Sequence, residues 1–564
     1  MKYIKIYITL IMILASIVSF DLKAQTVVSW MQIFNNSEYT NPYKMIFDKQ
    51  ENLMVSGISK FNNKVILLRY LPSGKLQDKN FLSLFNYSTL SGFHVSPDNS
   101  IIIQTNQTIL PSINNLSLHK MSNDFKFSNA VFFSGDNQYV NGKSSAIDPY
   151  GNIYVACDYI SSNGESVISL LKFSKDCELL WEKKCSNNSY KNNKAVSVKC
   201  DIYGFVYIAG INNLDGTDPE FFVKKFSESG KNYWTSNIEG VLNNDDNIVS
   251  VELMNIKTDE KSNVYLAGST GGNFGKDIFL VKLNTEGNFE WNREFDFTKY
   301  YSSRTVKGNR IFSDSPYDME TDIQGNVYIT GSSESKKESY LVTLKYGSSG
   351  NVQWANFYKS PSYLESQNVP VDLFVDKSGN SYITGYQKAL NLHADFDPGK
   401  DILTLKYSSE GAEVWSEIKG GEGDIGHNDD IGKSVLVNDN GDAFVLGQLS
   451  IFPQTSAYCI IKYGSQNSST VNAKDSKEKF RLNNNYPNPF NPSTIISFEI
   501  PEAANVSLKI YDITGKEISS LFKGMLNKGY HEFEWNAAQL SSGVYFYRLQ
   551  AGSFTNTKKM HLIK

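Results

Sequence analysis

Three short segments concentrate the carboxylate and amide side chains that could bind a metal ion. They span residues 243–247, 393–401 and 424–430 and include Asp245, Asp246, Asp395, Asp397, Asp429 and Asp430. Oxygen ligands at this density suit Ca²⁺. None of the segments follows the calcium-loop pattern D-x-[DN]-x-[DN]-G-x5-E, and Asp and Asn also fill ordinary loops because they favour turns. The sequence therefore leaves two interpretations open, a calcium site and solvated loops.

Histidine is scarce, and only one grouping of histidine with carboxylates is a candidate for catalysis. The chain has six His, and His427, Asp395 and Asp429 are the first residues to test. The sequence contains no H-E-x-x-H, G-x-S-x-G or P-loop motif. Pairs of loop carboxylates could hydrolyse a glycosidic bond, but the sequence does not give their separation. A polar loop without a catalytic role is the competing interpretation.

A repeated motif indicates the scaffold that must position these loops. The pattern D-x-x-G-N-x-Y-I-T-G, with variants, returns eight times between Asp48 and Gly447, and its best copy is Asp322–Gly331. Repeats of this period are typical of solenoids and propellers. Glycine in the tight turn permits positive φ, and the Asp or Asn bonds its own backbone. The turn glycines are Gly151, Gly204, Gly325, Gly379 and Gly441.

A second recurring feature places tryptophan four residues after another turn glycine, as in Gly230 and Trp234. The tryptophans with this structural role are Trp30, Trp181, Trp234, Trp291, Trp354 and Trp415. We expect each indole to pack between neighbouring units and bury on the order of 150 to 250 Å². A sugar-stacking platform is the functional alternative, but such a platform has no need to recur at one register.

Each repeat unit is predicted to form four short strands. Around Asp376 these are Val371–Val375, Ser381–Gly385, Ile402–Tyr407 and Ala412–Glu417. Four-stranded units repeated radially form a β-propeller. The last unit ends at Gly464 without its fourth strand, whereas Val28–Phe34 precedes the first unit as a lone strand. We therefore predict an all-β, eight-bladed propeller over residues 25–464, closed by the N-terminal strand. Seven blades remain open if the weak unit at Ser96 is not a blade.

These units resemble the repeat family of large exported bacterial β-propeller proteins, often called SBBP repeats. The resemblance covers roughly residues 26–465 and is weakest in the first two units. It implies a fold and no activity. In a propeller of this strand order, the turns between strands one and two and between strands three and four share one face. The long, individual connections share the other face, where we expect binding to occur.

The N-terminus predicts export. Lys2 and Lys5 precede the apolar run Ile6–Phe20, and Ala24 follows, which is the order of a cleaved signal peptide over residues 1–24. The run is shorter than the roughly 20 residues that span a bilayer, so no transmembrane span is expected after cleavage. The net charge is -4, and no basic stripe suits nucleic acid.

The C-terminus predicts where the protein is delivered. Residues 465–484 are polar and are expected to be a flexible linker, and residues 485–564 are expected to form a small strand-rich domain. The segments NYPNPFNPST, YDITGKE and SSGVYFYRL resemble the type A C-terminal sorting domain of the Por, or type IX, secretion system. That resemblance implies an Ig-like sandwich that contacts the translocon and the sorting peptidase. It also implies passage through the periplasm to the outer-membrane surface or the medium.

The sequence as a whole favours a non-enzymatic binding or adhesion module for an unknown glycan or protein ligand. The competing hypothesis is a secreted hydrolase or lyase that acts on polysaccharide or another surface polymer through its acidic loops. Carboxylates that converge on one pocket would favour the enzyme, and loops spread over a broad face would favour binding. No cofactor other than Ca²⁺ is suggested.

Overall fold

A computed structural model describes residues 27–563 apart from several gaps. The gaps are 35–38, 60–61, 85–87, 111–112, 135–139, 162–163, 187–191, 214–219, 239–247, 273–274, 303–311, 336–338, 361–365, 390–398, 421–428, 452–454, 465–480, 483–484, 486–489, 501–503, 527–528 and 553. The predicted signal peptide lies outside the described residues. Two compact units divide the chain, residues 1–466 and residues 467–564.

The described part of the first unit contains strand β1 (Val27–Phe34) and then eight groups of strands. Sheet 1 contains β2 (Thr40–Phe47), β3 (Leu53–Ser59), β4 (Lys64–Tyr70) and β5 (Leu76–Ser83). Sheet 2 contains β6 (Thr89–Val95), β7 (Ile101–Leu110), β8 (Ile113–Met121) and β9 (Phe127–Phe133). Sheet 3 contains β10 (Val140–Ile147), β11 (Ile153–Ile160), β12 (Ser166–Phe173) and β13 (Leu179–Lys184). Sheet 4 contains β14 (Lys194–Cys200), β15 (Val206–Asn212), β16 (Glu220–Phe226) and β17 (Asn232–Asn237).

The second half of this unit repeats the pattern. Sheet 5 contains β18 (Ile248–Thr258), β19 (Val264–Gly272), β20 (Gly275–Leu283) and β21 (Phe289–Phe295), and helix α1 (Phe297–Ser302) follows it. Sheet 6 contains β22 (Ser313–Thr321), β23 (Val327–Glu334), β24 (Ser339–Tyr346) and β25 (Val352–Tyr358). Sheet 7 contains β26 (Ser366–Val375), β27 (Ser381–Ala389), β28 (Lys400–Tyr407) and β29 (Glu413–Lys419). Sheet 8 contains β30 (Ile431–Val437), β31 (Ala443–Ile451), β32 (Thr455–Gly464) and β1.

The sheets are arranged in a ring. The first strand of each sheet, which we call its inner strand, packs against the inner strands of the sheets before and after it, and β2 of sheet 1 packs against β30 of sheet 8. Strand β1 pairs antiparallel with β32, from Val28 opposite Tyr463 to Phe34 opposite Tyr458. The predicted completion of the last unit by the N-terminal strand is therefore confirmed. The weak unit at Ser96 also forms a full four-stranded sheet.

The hydrophobic core lies between consecutive sheets. One cluster joins Tyr207 and Val223 of sheet 4 to Leu266 and Phe279 of sheet 5. Strand β12 is buried along its whole length, whereas the outer strand β5 alternates between half-buried and exposed residues. The period-two pattern of the outer strands and the apolar runs of the central strands follow from these positions.

The second unit contains two antiparallel sheets around one core. One sheet has the order β33 (Arg481–Leu482), β34 (Ser493–Ile500) and β37 (Gly529–Asn536). The other has the order β36 (Glu517–Leu526), β35 (Ala504–Asp512), β38 (Gly543–Ala551) and β39 (Phe554–Leu562). Phe498, Leu508, Trp535, Tyr547 and Met560 are buried in the shared core.

Two elements of this unit differ from the sequence prediction. Strand β36 was not predicted, because its exposed face alternates with only partly buried residues such as Leu521 and Phe522. Residues 481–482 belong to strand β33 rather than to the linker expected over 465–484, because Leu482 is buried in the core of this unit. The rest of that linker lies outside the described residues.

Candidate functional site

The two ends of the strands form different sides of the ring. We call the side with the hairpins between strands one and two and between strands three and four the turn side. The opposite side, with the hairpins between strands two and three and the connections between sheets, is the loop side. Antiparallel strands place successive connections at alternate ends. The turns of the repeated motif therefore lie on the turn side, and the connections that differ from sheet to sheet lie on the loop side.

The repeated aspartate organises each turn from within. In sheet 6, Asp322 Oδ1 accepts hydrogen bonds from the backbone N–H groups of Gln324 and Asn326 at 3.0 and 2.9 Å. Its Oδ2 accepts from Asn326 Nδ2 at 2.7 Å and from the Tyr328 hydroxyl at 3.2 Å. Burial and the Asp322 charge raise the pKa of Tyr328. The carboxylate is therefore engaged by its own turn.

The same tyrosines connect neighbouring sheets. The Tyr328 hydroxyl also donates to the carbonyl oxygen of Gly379 in sheet 7 at 3.0 Å, and Tyr265 donates to Gly325 in sheet 6 at 3.2 Å. Gly379 has φ +79°, a conformation that residues with a side chain rarely adopt. Positive φ is shared by the repeat glycines Gly151, Gly204, Gly325, Gly379 and Gly441. These glycines shape a structural contact between sheets.

The tryptophans make the second contact between sheets. The Trp234 indole of sheet 4 lies over Gly287 of sheet 5, where an added Cβ would come 2.5 Å from the ring, and its Nε1 donates to Thr285 O at 3.0 Å. Equivalent pairs are Trp30 with Gly74, Trp181 with Gly230, Trp291 with Gly350 and Trp354 with Gly411. Trp415 instead lies 5.1 Å from the Tyr463 ring. Each indole face is thus covered by the next sheet.

The turn side also exposes apolar side chains. Tyr150, Ile202 and Tyr203 are each more than 60 % exposed. A cavity of about 490 Å³ lies beside them, lined by residues 47–49, 95–97, 147–149 and 200–202 at the ends of four inner strands. Its three aspartates, Asp48, Asp148 and Asp201, accept hydrogen bonds from their own turns.

The inner strands place charged residues around the centre of the ring, and sequence reasoning did not find them. Every inner strand has a register shift at one equivalent position, for example between Pro370 and Asp372. Residues at or two positions after that shift include Lys44, His94, Lys199, Lys257, Asp318, Glu320 and Asp372. A proline two residues before Lys44, Asp318 and Asp372 is a signal that could have identified these three, whereas Leu90, Ala195 and Leu253 occupy that place in sheets 2, 4 and 5.

These central charges act on one another across the ring. Burial and the charges of Lys44 and Lys199 lower the pKa of His94 to about 3. Burial and the charges of Lys257 and Lys44 lower the pKa of Lys199 to about 8. Lys257 forms an ion pair with Glu320 of the next sheet. The lysines lie on sheets 1, 4 and 5 and the acidic groups on sheets 6 and 7, so the centre is polarised, and His94 of sheet 2 is neutral between them.

The central histidine does not form a catalytic triad with described residues. His94 Nε2 lies 2.8 Å from Ser145 Oγ. Within the part of the chain that the structure describes, no carboxylate hydrogen-bonds to His94. A triad needs such a carboxylate to orient the ring.

The loop side brings together five side chains from sheets 6 to 8, which we call the loop-side patch: Tyr317, Glu334, Tyr386, Lys400 and Asp429. Lys400 Nζ lies 5.0 Å from the Tyr386 ring centre and 2.9 Å from Asp429 Oδ2. Burial raises the pKa of Tyr386 to about 12, and Tyr317, Glu334 and Asp429 add to the shift through their charges. Tyr317 is 42 % exposed. Tyr317 and the Lys400–Asp429 pair thus both act on Tyr386, and an accessible aromatic ring in the same patch as paired charges can bind a polar ligand.

The acidic residues predicted to bind calcium or to catalyse are only partly described. Asp245, Asp246, Asp395, Asp397 and His427 lie outside the described residues. Asp429 belongs to the loop-side patch. Asp430 is 1 % exposed, and its Oδ1 accepts a hydrogen bond from Ser450 N at 2.7 Å. Calcium binding and catalysis at all of these positions stay predictions.

The C-terminal unit matches a known family. Residues 484–564 match the secretion system C-terminal sorting domain, which acts in type IX secretion. The chain therefore interacts with the type IX machinery and is exported to the cell surface or the extracellular space. The predicted delivery to the cell surface or the extracellular space is confirmed. No helix among the described residues is long and apolar enough to cross a membrane.

Comparisons with whole proteins add little. No curated protein matches the chain. Among solved structures, PorZ, a surface component of the type IX secretion system of Porphyromonas gingivalis, is 10 % identical, with 95 % of this chain and 100 % of that one covered and a TM-score of 0.23. For the polysaccharide lyase Uly1 the values are 8 %, 72 %, 92 % and 0.36. For prolyl oligopeptidase B from Galerina marginata they are 8 %, 73 %, 55 % and 0.40. Similarity this low indicates nothing about activity.

Proposed function

We propose that the first unit is an eight-bladed β-propeller of the exported bacterial repeat type and that it binds a glycan or protein ligand without chemical turnover. The loop-side patch is the observation that carries this proposal. It combines the exposed ring of Tyr317 with the Lys400–Asp429 ion pair on the side where the connections differ from sheet to sheet. Rings stack on sugars or apolar groups, and the charges orient polar ligands.

The turn side supports this division of labour. Its aspartates, tyrosines and tryptophans bond to their own turns or to the next sheet, as Asp322, Tyr328 and Trp234 do. The hydrogen bonds of these groups therefore stabilise the scaffold. A rigid scaffold that presents variable loops is a common arrangement for binding.

Export precedes this role. In our proposal residues 1–24 are a signal peptide, and the second unit is an Ig-like sandwich that the translocon recognises. The sorting peptidase then cleaves the chain between residues 465 and 485, and the propeller is released or attached to the surface. A fusion of residues 465–564 behind a signal peptide and a reporter tests this step. Reporter outside type IX-competent cells supports it, and periplasmic reporter contradicts it.

Binding is tested with purified residues 25–465 on an array of glycans and surface polymers, scored for retention and for product. We expect retention without product, and we expect loss of retention in the double variant Tyr317→Ser, Lys400→Ala. Tyr150→Ser, at an exposed tyrosine of the turn side, is the matched control and should bind as the parent does. Equal loss in both variants would contradict the loop-side assignment.

Product formation would favour the second candidate, a hydrolase or lyase that acts on polysaccharide or another surface polymer. Asp429 of the loop-side patch lies in the segment that also contains His427. His427, Asp395 and Asp429 would then be the first residues to replace.

A further inference from the structure

Three aspartates that are far apart in the sequence meet between sheets 5 and 6. Asp277 lies near the start of β20, Asp296 follows β21, and Asp314 lies near the start of β22. One carboxylate oxygen from each lies within 4.8 Å of the others. Among the residues that the structure describes, no other three acidic, His or Cys side chains come this close. All three positions are on the loop side.

Asp314 is buried without full hydrogen bonding. The residue is 0 % exposed, and its Oδ2 accepts a hydrogen bond from the backbone N–H of Phe297 at 2.7 Å. Its Oδ1 is buried and has no well-formed hydrogen bond among the described residues, although the Ser333 side chain opposite it in β23 acts on the carboxyl group and lowers its pKa. A buried carboxylate oxygen without a partner is costly unless a cation or a proton satisfies it. This orphaned oxygen, on a residue that faces two further carboxylates, indicates a missing ligand.

Asp296 is held in place by helix α1. Its Oδ1 accepts a hydrogen bond from the backbone N–H of Lys299 at 2.9 Å, as an N-cap residue does. The only cation paired with the cluster among the described residues is Lys299, whose Nζ lies 3.3 Å from Asp296 Oδ2 and whose side chain is 80 % exposed. One exposed ammonium group leaves most of the negative charge uncompensated.

The charges in this cluster oppose one another. Burial and the charges of Asp296 and Glu294 raise the pKa of Asp277 to about 7, against a lowering effect of Lys299. Burial, with contributions from Asp277 and Asp296, also raises the pKa of Asp314 to about 7. Like charges are therefore crowded together in this cluster.

We propose that Asp277, Asp296 and Asp314 bind one calcium ion at the junction of sheets 5 and 6. The donors are carboxylate oxygens only, which suits a hard cation and not zinc or copper. Calcium takes oxygen ligands at about 2.3–2.6 Å, so two of its ligands lie up to about 5 Å apart. The smaller Mg²⁺ demands near-ideal octahedral geometry and usually keeps several waters, so three protein carboxylates suit it less well than calcium.

The ion would tie the connection after sheet 5 to both sheets. Asp296 and Asp314 flank α1 and the undescribed residues 303–311, and Asp277 belongs to the preceding sheet. Buried aromatic rings support this arrangement, with Phe297 4.8 Å from Phe312. Bound calcium would link Asp277 of sheet 5 to Asp314 of sheet 6. The proposal does not depend on the binding function proposed above, because its readouts are metal binding and stability.

The test is a calorimetric titration of the chelator-treated full chain with CaCl₂ and, separately, with MgCl₂, together with thermal unfolding. We expect calcium to bind and to raise the Tm by about 3 to 5 °C at a hundredfold excess over Kd. The shift should be larger at pH 8 than at pH 5, because protons compete for the raised carboxyl groups of Asp277 and Asp314. Equal or tighter binding of magnesium would overturn the assignment to calcium, and absence of binding would overturn the site.

Variants separate this site from the acidic loops outside the described residues. Asp314→Asn and the less buried Asp277→Asn should each remove one equivalent of bound calcium, and Asp277→Asn covers the case in which Asp314→Asn fails to fold. Asp158→Asn is the matched control, since Asp158 is a half-buried aspartate of β11 that faces Lys143 at 3.6 Å. It should keep the full stoichiometry. Unchanged stoichiometry in Asp277→Asn would place the calcium elsewhere.

Discussion

The turn side and the loop side of the ring use the same residue types for different purposes. On the turn side, Asp322 accepts hydrogen bonds from its own turn, and Tyr328 donates a hydrogen bond to the next sheet. On the loop side, Asp314 keeps an unpaired buried oxygen, and Asp429 pairs with Lys400 beside an aromatic ring. An aspartate that recurs in the repeat is thus structural, whereas an aspartate outside the repeat is a candidate for function.

This difference follows from what each side must do. The turn-side contacts recur at nearly every junction between sheets. The same residue pattern therefore stabilises the whole ring, and the free energy of unfolding is a sum of similar contributions from neighbouring sheets. The loop-side residues contribute to no such pattern. Perturbing the turn side should therefore destabilise the ring more than perturbing the loop side.

The largest effect is expected from removing strand β1, which completes sheet 8. The strand pairs with β32 along its length, and Trp30 lies against Gly74 of sheet 1. Deleting residues 27–34 should cost about 5 kcal/mol or more of unfolding free energy or abolish folding, because the edge of β32 and the apolar cluster under Trp30 and Phe34 would be exposed to water. An unchanged Tm in thermal unfolding would contradict closure of the ring by this strand.

The next effect is expected from Gly287→Ala on the turn side. The new Cβ would lie 2.5 Å from the Trp234 ring, at a residue with φ +80°. Overpacking and backbone strain together should cost about 3 kcal/mol in denaturant unfolding.

Gly164→Ala on the loop side is the matched control for that substitution. Gly164 has nearly the same φ, +79°, but no atom lies within 4 Å of an added Cβ. Its cost should be about 1 kcal/mol, from the backbone alone. Equal costs at the two glycines would mean that the Trp–Gly contact does not stabilise the junction between sheets.

A smaller effect is expected from the tyrosine that links two sheets. Tyr328→Phe loses the hydrogen bonds to Asp322 and to Gly379 of the next sheet, whereas Tyr382→Phe loses one to Asp376. The first substitution should therefore cost about 1 kcal/mol more than the second. Unfolding of both variants in denaturant gives the difference, and identical losses would mean that the inter-sheet bond adds no stability.

The sequence predicted the scaffold well because the scaffold is periodic. The Asp-x-x-Gly turn, the Gly–Trp spacing and the missing last strand are local or repeated signals. The strands around Asp376 were placed with their loop-side ends too short, and the fourth was begun one residue early, at Ala412 instead of Glu413. Strand β36 was missed because its apolar residues are only partly buried and its pattern is weak.

The candidate sites could not be predicted in the same way. Asp277, Asp296 and Asp314 share no motif, and only the packing of sheet 5 on sheet 6 brings them together. The loop-side patch draws on three sheets, and of its members only Asp429 was a sequence candidate. The central charges lie at one register of the inner strands, where the residue type changes from sheet to sheet.

The one pH-dependent effect concerns Asp372 at the centre of the ring, which belongs to neither side. Burial and the charge of Asp318 raise the pKa of Asp372 to about 7, well above its value in an unfolded chain. The folded state therefore holds more protons than the unfolded state between about pH 4 and pH 7, and this contribution to stability is lost as the pH rises through that range.

Asp372→Asn keeps an acceptor for the Val435 N–H, now 2.7 Å from Asp372 Oδ2, and should flatten the loss between pH 5 and pH 8. Unfolding free energies are compared in chelator, so that the proposed calcium site contributes equally. Asp98→Asn, at a largely exposed aspartate whose pKa is lowered to about 2, should leave the slope unchanged. Parallel curves for Asp372→Asn and the parent would mean that the central carboxylate is ionised throughout, and that the acidic half of the ring is compensated by Lys44 and Lys257 rather than by a proton.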